Sequence, residues 1–181
     1  MKVGVSIGGY MKLKNFLLTF FLILLVSSLS FAGPQEFNKN IFYITPQLGI
    51  NTFTIPFGAN VEYGITPNIG IGGTTMIWLW SNKYASETVI AISAEGAYHF
   101  TQLDLDKFDL FAGAGVGIAI YSYNQKSGFD WGDAGASGIF IAPFVGGRYF
   151  FNPKIAVCLK IYGYIVSFGT FGATVGVTFG L

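Results

Sequence analysis

The sequence predicts an all-β protein, an eight-stranded antiparallel up-and-down transmembrane β-barrel, and three observations carry that prediction. The closing stretch Thr170–Leu181 alternates without a break: Phe171, Ala173, Val175, Val177, Phe179 and Leu181 are apolar, and only threonine and glycine stand between them. A period of two over that length means one strand with two unlike faces. Composition is the second observation. Of 181 residues, 52% are hydrophobic, only 10% are charged and 25 are glycine, whereas soluble domains carry about a quarter charged side chains. Third, a single uninterrupted apolar run exists, near the N-terminus. A helical membrane protein needs several runs of roughly 20 residues, so the remaining hydrophobicity must cross a membrane in alternating form.

The single run reads as a secretory signal over residues 1–32. Lys12 and Lys14 form its positive end, Phe16–Val26 its apolar stretch, and Ser30-Phe31-Ala32 a small-x-small cleavage site. Met11 is an alternative start. Cleavage after Ala32 removes Lys2, Lys12 and Lys14 and leaves seven basic against nine acidic side chains, a net charge of −2. That balance gives no footprint for nucleic acid. Gly33–Asn40 follows as a periplasmic lead-in, and the barrel is assigned to residues 41–181.

Eight alternating segments follow in order. In Ile41–Ile50, Phe42, Ile44, Leu48 and Ile50 face outward and Tyr43, Thr45, Gln47 and Gly49 inward. Phe53–Ile65 sets Phe53, Ile55, Phe57, Ala59, Val61, Tyr63 and Ile65 outward over Asn60 and Glu62, and Thr66-Pro67-Asn68 turns the chain. Ile69–Trp80 points Met76, Trp78 and Trp80 inward; after a polar Ser81–Glu87 loop, Thr88–Phe100 points Ser93, Glu95 and His99 inward. Thr101–Lys107 is a polar turn, and Phe108–Tyr121 carries an inner stripe of Gly113, Gly115 and Gly117. Ser122–Ser137, with Trp131, is the long loop. Gly138–Phe150 turns Phe140, Phe144 and Arg148 inward, Asn152-Pro153 is a turn, and Lys154–Ile165 turns Cys158, Lys160, Tyr162 and Tyr164 inward and Ile155 outward. Thr170–Leu181 closes the sheet.

Such segments match the roughly 9–11 residues that a tilted strand needs to cross a bilayer. An even count returns both termini to one side, and closure leaves no edge amide facing lipid. No charged side chain falls on an outward face. Outward aromatics gather at segment ends: Phe42, Tyr63, Tyr98, Phe100, Phe108, Tyr149 and Phe179 at one rim, and Phe53, Phe57 and Phe171 at the other. Pro46, Pro56 and Pro143 cannot donate to a ladder and predict bulges or shifted boundaries.

Tyr98-His99-Phe100, FDLFAGAGVGI at Phe108–Ile118 and PFVGGRYFFNPKIAV at Pro143–Val157 resemble small outer-membrane barrels of the OmpA/OmpX and opacity-protein type. The resemblance spans the mature chain, but its motifs are wall patterns without chemistry. It implies a monomer in the outer membrane of a Gram-negative-type bacterium, surrounded by outer-membrane lipid and lipopolysaccharide and inserted by barrel-assembly machinery. Family barrels often end in Phe, whereas this chain ends Phe179-Gly180-Leu181.

Candidate chemistry is sparse. One His and one Cys make a metal site or a disulfide a poor reading, and no cofactor is expected. The glycine clusters Gly70–Gly73 and Gly113–Gly117 precede neither a helix nor a Lys-Ser/Thr pair, so they read as strand glycines. His99 is expected inward, near the periplasmic rim, without partners for catalysis. Glu62, Glu95, Arg148 and Lys160 are expected to form a charge network in the lower and middle lumen, with Arg148 bridging two carboxylates. Trp78, Trp80, Tyr121, Phe140, Tyr162 and Tyr164 lie toward the other end. They either fill space or line a pocket for a small hydrophobic molecule. A non-enzymatic barrel with a structural or envelope role is the first reading. Binding or passage of small hydrophobic molecules is the second, and a lipid-modifying barrel enzyme ranks behind both.

Overall fold

The structure, a computed structural model, describes residues 37–51, 55–81, 85–125, 134–166 and 169–181. The expected signal segment and its cleavage site, Phe53, and the tip of the long loop with Trp131 lie outside them. Eight strands form one closed barrel: β1 (Phe42–Asn51), β2 (Phe57–Gly64), β3 (Ile69–Ser81), β4 (Ala85–His99), β5 (Phe108–Gln125), β6 (Ala134–Asn152), β7 (Ile155–Val166) and β8 (Thr170–Gly180). Each pairs antiparallel with the next, and β8 pairs back onto β1 from Tyr43↔Gly180 to Asn51↔Gly172. The start of β1 and the end of β8 therefore meet at one end, called lower here.

Alternation decides which side chains go where. Leu48, Val116, Ile118, Ile141, Leu159 and Val175 are exposed on the outer wall, while Glu62, His99, Asp109, Arg148 and Lys160 are buried within the barrel and Glu95 is half-buried there. A wall with aliphatic residues outside and charges inside inverts a soluble protein and suits lipid. Aromatic rings collect at the lower rim, where Phe42 packs on Tyr63 (4.6 Å between centroids) and Phe108 on Tyr149 (5.1 Å). The lower turns have side-chain anchors. Thr66 Oγ1 accepts the amides of Asn68 and Ile69, and Asn152 Oδ1 those of Lys154 and Ile155.

Several details differ from the sequence reading. β2 starts at Phe57, just after Pro56, so this proline marks a shifted boundary. Pro46 and Pro143 produce no bulge: Pro46 pairs with Ala59 and Pro143 with Ala114 in register. Each lacks only its partner on the other side. The β6–β7 ladder passes from Ile141↔Ile165 directly to Phe144↔Tyr162 with its register kept. The ladder shift occurs instead between Phe150 and Asn152. Beside it Ile155, expected outward, is 5% exposed, in keeping with the way a bulge re-aims neighbouring side chains. Finally, β4, β5 and β6 extend well past the expected ends, so Glu87 belongs to a strand and not to a loop.

Candidate functional site

The lumen has two storeys. In the lower one, β2, β4, β5 and β6 each contribute one inward polar residue at nearly one height. Glu62 and Asp109 are the carboxylates, and His99 and Arg148 each join both. His99 Nε2 lies 2.9 Å from Glu62 Oε1 and Nδ1 lies 2.7 Å from Asp109 Oδ1. The Arg148 guanidinium donates to Glu62 Oε2 and, at 3.4 Å, to Asp109 Oδ2. The result is a closed ring of four side chains, with the guanidinium 5.3 Å from the Tyr43 ring and 5.0 Å from the Phe111 ring. Below it residues 37–40 of the lead-in fold under the barrel. Phe37 is buried and stacks flat on His99 at 3.5 Å, and the Asn38 amide donates to the Tyr43 hydroxyl at 2.7 Å. Gly64 permits this close approach, since a methyl there would collide with the Asn38 carbonyl.

One layer higher, the Lys160 ammonium donates to Glu95 at 2.9 Å and lies 4.5 Å from the Phe144 ring centroid. Glu95 also accepts from Ser93 and Asn60, at 3.1 and 3.2 Å. The four charges expected to form one network thus divide into two units, Glu62 with Arg148 and Glu95 with Lys160. Arg148 does bridge two carboxylates, but the second is Asp109. Asp109 and His99 are the members that sequence reasoning missed, and the expectation that His99 lacks partners is corrected by its two carboxylates. Asp109 was visible by parity, because it precedes the inner stripe of β5 by even steps. Two gaps in this storey, about 20 Å³ beside the ring and about 10 Å³ by Tyr162, hold a water each at most.

The upper storey is apolar and has room. A cavity of about 200 Å³ is lined by Trp78, Trp80, Tyr121, Phe140 and Tyr164, with Val89, Ala91 and Ala119 between them and Asn51, Glu87 and Thr170 at its polar margins. Five of the six expected aromatics therefore surround one space. Tyr162 lies beneath them, its ring 4.9 Å from that of Tyr164. Phe140 and Tyr164 rings pack at 4.5 Å and Trp78 meets Tyr164 edge-on at 6.0 Å. The buried Trp78 Nε1–H has no acceptor among the described residues.

A closed eight-stranded antiparallel wall is the architecture of the small outer-membrane barrels, and solved structures share that fold. The N-terminal β-barrel domain of OprF from Pseudomonas aeruginosa superposes with a TM-score of 0.63 at 16% identity, covering 79% of this chain and 98% of that one. The outer-membrane protein OprG of the same organism gives 0.54 at 10% identity, covering 82% and 99%. Ail, the attachment invasion locus protein of Yersinia pestis, gives 0.52 at 10% identity, covering 78% and 97%. No protein-family model matches the chain, and no curated protein matches it in sequence. The likeness is one of fold.

Proposed function

We propose that this chain is an integral outer-membrane barrel of a Gram-negative-type envelope, monomeric and non-enzymatic, with a structural role and a lumen that conducts nothing. The observation that carries the reading is the buried ring of Glu62, His99, Asp109 and Arg148, closed from below by Phe37. Opposite charges that satisfy one another across a narrow lumen leave no continuous water path. The aliphatic belt and lower aromatic rim support a setting of outer-membrane lipid and lipopolysaccharide, reached through barrel-assembly machinery after cleavage of residues 1–32. Both nitrogens of His99 are committed to carboxylates, which supports a holding role over a catalytic one. Planar-bilayer recording tests the reading. The wild-type protein should show no steady conductance; steady conductance that Arg148→Ala leaves unchanged would overturn the plug.

The upper cavity favours a second reading alongside the first, the binding of a small molecule in the outer half of the lumen. Native mass spectrometry of the purified protein should then retain a small-molecule adduct that Ala119→Leu, which fills the cavity, removes.

A further inference from the structure

We infer that the upper cavity is a site for a small organic cation, a molecule pairing one apolar ring with an ammonium group. The inference rests on the reading of this cavity as a small-molecule site and adds the charge of its occupant.

Size comes first. An apolar cavity of about 150 Å³ accommodates benzene, so about 200 Å³ takes one ring and a few further heavy atoms. The walls come second. Five aromatic side chains surround the space, and aromatic faces attract cations, most strongly where water is excluded. Charge comes third. Among the described residues Glu87 is the one ionisable carboxylate lining the cavity, and no Lys, Arg or His lines it. The ladder sets Glu87 directly opposite Trp80 on β3 and Tyr123 on β5, and its carboxylate reaches the Tyr121 hydroxyl. Trp80 is half exposed, so the acidic end is the mouth and the Phe140–Tyr164 end the floor.

A neutral hydrocarbon filling this space would cover Glu87 without giving it a counter-charge, and an anion would be repelled by it. An ammonium at the mouth answers the carboxylate and the ring faces together, while the apolar ring descends toward Phe140. The unanswered Trp78 N–H adds a donor for a ligand oxygen. The lower storey is closed, so the ligand enters and leaves by the outer mouth.

Benzyltrimethylammonium and its carbon isostere neopentylbenzene provide the test, since they share shape and differ in charge. Each is titrated into the detergent-folded barrel while tryptophan emission is followed, as Trp78 and Trp80 both line the cavity. The cation should bind saturably and at least about tenfold more tightly than the isostere. Glu87→Gln should remove most of that preference while gel mobility with and without boiling shows the barrel intact. Equal binding of both compounds, unchanged by Glu87→Gln, would overturn the charge inference and leave the small-molecule site standing. Binding of neither compound would overturn both.

Discussion

The two storeys of the lumen are built by the same strands and obey opposite rules. Below, carboxylates pair with basic side chains and the gap beside them is water-sized; above, apolar walls enclose a space that nothing on the described chain fills. The difference teaches where this barrel keeps its rigidity and where it keeps room. Charged groups in a narrow lumen must pair closely, because leaving one unpaired is far costlier than any imperfection in apolar packing.

The comparison breaks if the lower storey tolerates change. Arg148→Ala leaves Glu62 and Asp109 facing each other across His99, and should lower stability by about 3–5 kcal/mol, read as a shifted urea midpoint in detergent. Gly70→Ala attacks the same ring by volume alone. A methyl at Gly70 meets the Glu62 carboxylate, so a loss of about 1–3 kcal/mol is expected in the same assay. The upper storey should respond with the opposite sign. Ala119→Leu adds carbon into the open space and should raise stability by about 0.5–1 kcal/mol. Trp80→Ala, at the exposed mouth, should stay within about 0.5 kcal/mol of wild type. If Ala119→Leu destabilised as strongly as Gly70→Ala, the cavity would be no roomier than the ring, and the contrast would fail.

The barrel was legible because its wall repeats a period of two, and that period survives in the residues themselves: Phe171 to Leu181 needs no partner to be read as one face. Inward charges were legible by the same parity. Their partners were not, because height in the lumen depends on the stagger of neighbouring strands, and sequence parity is silent on stagger. Glu62 and Arg148 could be set near one another, yet Glu95 could not be told from Asp109 as the second carboxylate. Glu87 was hidden for a different reason. Strands β4, β5 and β6 continue beyond the apolar belt, where the alternation of large apolar residues stops and a strand looks like a loop. Pro46 and Pro143 misled in the other direction, since a proline whose missing amide removes one rung leaves the register untouched.

The ring also bears on the order of events in folding. Apart from the closing β1–β8 ladder, the wall is stitched between consecutive strands, each contact waiting only for its own hairpin. The lumen ties are different: Glu62 and Arg148 stand 86 residues apart, Glu95 and Lys160 65, and the hydroxyls of Thr45 and Thr178 133. Such ties cannot form until distant strands have come round to face one another, so they are made after most of the chain's entropy has been lost. Interactions that form after the transition state govern how fast a protein comes apart more than how fast it assembles. Glu62→Gln, which weakens the ring's tie between distant strands, should therefore shorten the lifetime of the finished barrel while leaving its insertion rate close to that of the unaltered chain.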